Sequence, residues 1–166
     1  MIMKRTIHDE GHFRKFLVVV DDTEECDRAI SYATYRAAAT GGALVMMVAV
    51  ELEHFNHWLG VKEIMLAEAH EAAHERLAEY KERVEEIAAI PTECVVRDGN
   101  VAEQITALIE EDKDIGILVL AAAVGSKEGP GPLVSSISSQ SGKSSFPLPV
   151  TIVPGDLSDD DIKAIC

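Results

Sequence analysis

At 166 residues and 47% hydrophobic composition, the chain is long enough for one domain with a full core and too short for two. Its formal net charge of -14, from 29 acidic and 15 basic residues, opposes attraction to nucleic acid or to an anionic membrane surface, so neither is expected as a partner. Three widely spaced cysteines, Cys26, Cys94 and Cys166, fit free thiols in a reducing cytoplasm, two of them buried, better than a disulfide framework or a zinc ribbon.

Residues 1–14 carry Lys4, Arg5, His8, Asp9, Glu10 and His12 without the apolar run of a signal peptide, and read as a flexible lead. No stretch approaches the ~20 consecutive apolar residues of a spanning helix, so a soluble cytoplasmic protein is expected. Phe16–Val20 is wholly apolar and β-branched, the pattern of a strand buried on both faces, and it stops at Asp21-Asp22-Thr23, where Asp22 or Thr23 can cap a helix. That helix places Cys26, Ile30, Ala33 and Ala37 on one face and ends at Gly41-Gly42. Ala43–Val50 is a second buried strand. A long amphipathic helix follows, with Leu66, Ala73, Leu77, Tyr80, Val84 and Ile87 in helical phase, and closes before Pro91.

Glu93–Arg97 reads as the third strand. Asn100 and Glu103 have the spacing of a reciprocal cap for a helix whose apolar face is Val101, Ile105, Leu108 and Ile109. Ile115–Ala123 is the fourth strand, followed by the loop Val124-Gly-Ser-Lys-Glu-Gly-Pro-Gly-Pro132, a serine-rich helix over 133–142, and a fifth strand at Val150–Val153. Apolar strands alternating with helices predict an α/β fold: a single domain over residues 15–155, with an open, five-stranded, Rossmann-like parallel sheet and helices on both faces. Residues 156–166 read as an acidic tail that could form one loose terminal turn. Ligands of such sheets bind outside the carboxyl ends of the strands, which makes Asp21–Thr23, Ala49–Glu51, Gly99 and Ala121–Gly125 the candidate rim.

Three stretches together resemble the universal stress protein family across residues 15–155. They are Phe-Leu-Val-Val-Val-Asp21-Asp22-Thr23, Arg97-Asp-Gly99-Asn-Val-Ala-Glu-Gln-Ile105 (with Val101 where a proline is common) and Pro147-Leu-Pro149-Val-Thr-Ile-Val-Pro154. The resemblance implies the fold of the adenine nucleotide alpha hydrolase-like group. In nucleotide-binding members the fourth strand is followed by glycine, two residues, glycine, nine residues, then glycine with serine or threonine. Here that spacing falls on Ala122, Gly125, Ser135 and Ser136, so the second glycine and the final hydroxyl are kept while the first and third glycines are replaced. The resemblance implies that Asp21, with Asp22, Thr23 and the strand exit at Ala49, flanks adenine and ribose, that Gly125 approaches the phosphates, and that Ser135 and Ser136 donate to them. The implied ligand is ATP or another adenine nucleotide; Asp21-Asp22 could bind a Mg2+ accompanying its phosphates, though paired acids before a helix commonly serve only as cap and dipole partners. Against it, Pro130 and Pro132 remove backbone donors, Ala122 adds a methyl group and Glu128 adds negative charge.

Other motifs carry less. His70-Glu71-Ala72-Ala73-His74 spells a zinc-hydrolase pattern, yet it lies mid-helix on an acidic face without a third ligand in view, and reads as a solvated surface. Gly142-Lys143-Ser144 has Ile137 where the partner glycine of a phosphate loop belongs. His54, Phe55, His57 and Trp58 could cover an adenine, though aromatic residues there more often anchor the next helix. No serine or cysteine has an assigned base, so the sequence favours a binding module over an enzyme and offers no catalytic or metal-ligating residue. Three functional readings follow: a dimeric, cytoplasmic stress protein that takes an adenine nucleotide; a nucleotide-free one acting through protein contacts; and, less favoured, a slow ATP hydrolase. The short apolar last strand, at a sheet edge, is the expected homodimer contact through Val150, Thr151, Ile152 and Val153.

Overall fold

The computed structural model describes residues 4–52, 60–140 and 147–166. Its elements alternate as the apolar pattern demands: β1 (Lys15–Val19), α1 (Cys26–Thr40), β2 (Ala43–Val50), α2 (Lys62–Ile87), β3 (Thr92–Asp98), α3 (Val101–Glu111), β4 (Ile115–Ala122), α4 (Pro132–Gln140), β5 (Val150–Pro154) and α5 (Asp159–Ile165). All five strands run parallel in the order β3-β2-β1-β4-β5, with Phe16 opposite Leu44 on one side of β1 and Val18 opposite Val119 on the other.

The central strand explains its own composition. Successive side chains of a strand point to opposite faces. Phe16, Val18 and Val20 therefore enter a core with Ile30, Ala33 and Ala37 of α1 and Leu77 and Val84 of α2. Leu17 and Val19 enter a second core with Ile105 and Ile109 of α3 and Val134 and Ile137 of α4. Helices cover both faces, so from Phe16 onward the strand carries no polar residue until the chain leaves the sheet at Asp21. Small residues Ala29, Ala33 and Ala37 let α1 lie close to the sheet, and its buried Thr34 hydroxyl donates to the Ile30 carbonyl at 2.7 Å. Gly41 ends α1 at φ 66, a left-handed conformation in which glycine carries no Cβ penalty.

Three terminal features depart from expectation. First, α1 starts at Cys26 after Glu25, with no side-chain cap; Asp21 instead closes a turn on Thr23, its Oδ1 accepting from the backbone N–H at 2.9 Å and from the hydroxyl at 2.5 Å. Short polar side chains readily choose such local turns over capping. Second, the lead expected to be flexible is fastened over its described part. Arg5 donates to the carbonyls of Ile109 and Asp112 at 2.7 and 3.1 Å, Thr6 bonds the Asp114 carboxylate, and His12 lies 2.8 Å from the same group. Third, the acidic tail contains a capped helix. Ser158 and Asp161 exchange the two bonds of a capping box, three aspartates sit in the first turn, and Ile162 is fully buried. Arg28 secures this helix to α1 through the Leu157 carbonyl at 2.9 Å and the Asp159 carboxylate at 2.9 Å. Of the cysteines, Cys26 alone is buried, whereas Cys94 is exposed and Cys166 intermediate, so one thiol rather than two is enclosed.

Candidate functional site

The strand order sends β1 through α1 to β2 on one side and β4 through α4 to β5 on the other. The loops leaving β1 and β4 therefore separate, opening a crevice at the carboxyl end of the sheet. A cleft of about 510 Å³ occupies this point. One wall is the β1 exit, Asp21, Asp22 and Thr23, joined by Ala49 and Glu51 from the β2 exit. The facing wall is Pro130–Val134, the end of the β4–α4 loop with the first turn of α4. Val48, Leu120 and Val101 make its interior apolar, and Cys26 closes the floor. This mixture of apolar lining with a few convergent polar groups suits a small organic ligand.

Of the residues singled out from sequence, Asp21, Asp22, Thr23 and Ala49 meet on the cleft wall; Gly99, Ala122, Gly125, Ser135 and Ser136 are not part of it. Gly99 turns the chain at φ 131 beside Gln104, after donating its N–H to Val50 at 2.8 Å. The Ala122 carbonyl is occupied by the Gly155 N–H at 2.9 Å at the top of the β4–β5 ladder. Gly125 is exposed at φ 74, with nothing within 4 Å of where a Cβ would stand. Ser135 begins the regular hydrogen bonding of α4, its N–H donating to Gly131 at 3.1 Å. Within the loop, the Ala123 N–H bonds the Pro130 carbonyl at 3.2 Å, which folds the strand of glycines back on itself and brings Pro130 and Pro132, rather than Gly125, to the cleft.

Sequence reasoning missed Arg76. This residue of α2 is half-buried and reaches the cleft beside Asp21 and Asp22, and among the described residues it makes no hydrogen bond or ion pair. Its helical phase held the signal: it lies between Ala73 and Leu77, both buried, on the stripe that α2 turns toward the sheet. A second concavity of about 400 Å³ continues from the cleft past Asp21, Asp22, Thr23 and Arg76 to Asp27, Tyr80 and Arg83. There Arg83 is committed, with Nε 3.3 Å from Asp27 and a terminal nitrogen 3.1 Å from Asp159.

The floor is chemically quiet. Burial pushes the Cys26 thiol up to about 11, and the Tyr80 hydroxyl beside it is raised for the same reason, so both are neutral at physiological pH. A neutral, enclosed thiol that contacts the Val19 carbonyl at 3.9 Å is a packing group rather than a nucleophile. His70, from the zinc-like motif, turns to Asp98 at 2.5 Å, while His74 stands exposed further along α2. Among the described residues no group of three His, Cys, Asp or Glu side chains is placed to hold a metal ion. The aromatic segment His54–Trp58 and the Gly142-Lys143-Ser144 motif lie outside the described residues. No helix among the described residues is long and apolar enough to cross a membrane.

In solved structures the same fold recurs. The chain is similar to the universal stress protein UspA from Lactobacillus plantarum at 17% identity, with 84% of this chain and 97% of that one covered and a TM-score of 0.72. It is similar to a universal stress protein in complex with cAMP at 18% identity, covering 86% and 98%, TM-score 0.63. It is also similar to the universal stress protein from Archaeoglobus fulgidus in complex with dAMP at 15% identity, covering 85% and 98%, TM-score 0.55. No curated protein matches the sequence. The sequence model of the Universal stress protein family matches residues 12–154, and the chain belongs to that family.

Proposed function

We propose that this chain is a non-enzymatic binding module that holds an adenine nucleotide in the cleft between the β1 and β4 exits. The observation that carries this reading is the anchored carboxylate of Asp21. Its Oδ1 accepts from Thr23, which fixes the carboxylate at the wall of an apolar-lined crevice, where it can accept from ribose hydroxyls or an adenine amine. Similar folds solved with cAMP and dAMP support the ligand class. ATP with Mg2+ stays within it; as no carboxylate cluster preforms a metal site among the described residues, any magnesium would enter with the ligand's phosphates and meet Asp22. Titration calorimetry with adenosine, AMP and ATP tests the reading: saturable heat with at least one is expected, and its loss in Ala49→Trp, which fills the cleft, locates the site. Absence of binding to all three at millimolar concentration overturns it and leaves the nucleotide-free reading, action through protein contacts.

We further propose that the protein works as a homodimer in the cytoplasm, paired through β5. Edge position and composition support the contact: β5 pairs with β4 on one side, and Ile152 is 46% exposed between half-buried Thr151 and buried Val153. Unpaired ladder groups beside an exposed apolar side chain invite a second strand. Light scattering at micromolar concentration should give a dimer mass that Ile152→Lys reduces to the monomer; a monomeric native protein refutes the contact. Three unbonded thiols support a reducing compartment.

A further inference from the structure

We propose that Arg76 recognises the phosphate of the bound ligand, and that the cleft thereby selects an adenosine derivative carrying a single phosphoryl group over one carrying three. This rests on the adenine-nucleotide reading of the cleft and deepens it.

Two independent features of the site point to it. The first is the position of an uncommitted cation. Arg28, Arg83 and Arg97 each hold carboxylates, whereas the half-buried guanidinium of Arg76 makes no hydrogen bond or ion pair among the described residues and stands where the cleft meets its lateral extension. A guanidinium keeps its charge at any physiological pH and presents donors in a planar fork that matches phosphate oxygens. An anionic ligand supplies the partner that the described residues do not.

The second feature is the charge balance of the cleft. On the facing wall Pro130 and Pro132 contribute no N–H, which leaves Gly131, Leu133 and Val134 as its backbone donors, and Gly125 stands away from the wall. A triphosphate extended along that wall would meet the carboxylates of Asp21, Asp22, Glu25 and Glu51, with Arg76 the one cation among the described lining residues. A monoester phosphate carries about -2 at neutral pH, and each further phosphoryl group adds roughly one negative charge. Charge beyond what one guanidinium can neutralise is repelled in this setting. The adenosine part lies along the apolar interior of Ala49, Val101 and Leu120, with Asp21 taking its hydroxyl or amine donors.

The test is calorimetric binding of adenosine, AMP and ATP, the last with and without Mg2+, to the native chain and to Arg76→Gln and Arg76→Lys. AMP is expected to bind at least about tenfold tighter than either form of ATP. In Arg76→Gln, AMP affinity should fall about tenfold or more, to the level of adenosine, while adenosine binding is unchanged; Arg76→Lys should recover only part of the loss, because an ammonium lacks the fork. ATP or its magnesium complex binding as tightly as AMP overturns the selectivity, and AMP affinity unaffected by Arg76→Gln overturns the assignment of the residue. Failure of adenosine and AMP alike to bind the native chain sinks the nucleotide reading itself, and the inference with it. Because Arg76 has no protein partner among the described residues, an unchanged denaturation midpoint is expected in both variants; a large drop would mean that the side chain serves the fold.

Discussion

Asp21 allows the fold and the ligand to be separated by two substitutions at one position. Its Oδ1 accepts two hydrogen bonds that hold the β1–α1 loop, from the Thr23 N–H at 2.9 Å and the Thr23 hydroxyl at 2.5 Å. Each such bond contributes about 0.5–1.5 kcal/mol net, toward the lower end at an exposed position, so Asp21→Ala should cost about 1–2 kcal/mol of stability. Asp21→Asn keeps a carbonyl oxygen that can accept both bonds and should stay within about 0.5 kcal/mol of the native chain. For the ligand the order changes. A donor from ribose or adenine to a carboxylate is worth about 1.5–3 kcal/mol, so loss of the charge should weaken adenosine binding about tenfold in the asparagine variant and further in the alanine variant. Urea denaturation gives the first quantity and titration calorimetry the second. The reasoning fails if Asp21→Asn binds adenosine like the native chain, or if Asp21→Ala leaves both measurements unchanged.

Two further outcomes follow from the terminal helix. Ile162 is the fully buried residue of α5, which packs on α1, so Ile162→Ala should destabilise by about 2 kcal/mol, the low end for isoleucine truncation because a terminal helix can detach and relieve the void; hydrogen exchange should rise in α5 and the facing turns of α1, and an unchanged denaturation midpoint would refute the packing. The hydrogen bond from Arg28 holds the Asp159 carboxyl below its usual value of 3.8, which makes the folded pKa lower than the unfolded one. The contribution of Asp159 is therefore complete above about pH 5 and is lost as the pH falls through the folded value. Between pH 6 and pH 3 the native chain should lose more stability than Asp159→Asn, and equal losses would show that the pair contributes nothing, as many exposed pairs do.

How much of this was legible in the sequence depends on how local each cause is. The three inner strands were readable because burial on both faces leaves no choice but an apolar run, and β2 was delimited at both ends by that rule alone. Gly41 announced the end of α1 for an equally local reason, the left-handed cap. Asp21, Asp22, Thr23 and Ala49 could be placed on the cleft wall from sequence because parallel topology fixes which end of every strand carries the crevice. The β4–α4 loop was not readable in this way. Its path is decided by positive φ at Gly125, Gly129 and Gly131 and by the bond from Ala123 to Pro130, and a spacing count cannot express how such a loop doubles back. Ser158 and Asp161 did spell a capping box, but the surrounding acids read as a solvated tail because the burial of Ile162 depends on α1, far away in the chain.

The two departures at the site belong to one physical argument. A phosphate-binding loop succeeds by converging several N–H donors on an anion, and here two of the five wall positions are prolines and Gly125 stands away from the wall. Removing donors from that wall, in a cleft already rimmed by carboxylates, would on its own make any nucleotide a poor ligand. A cation brought in from the opposite side by α2 changes the balance without restoring the loop: it supplies one strong, planar anchor instead of a distributed cradle. One anchor suits one phosphoryl group. The altered loop and the uncommitted Arg76 are thus complementary features of the same cleft, and the position of the arginine on α2, remote in sequence from every strand exit, is why the loop motif alone gave an incomplete view of what this site can hold.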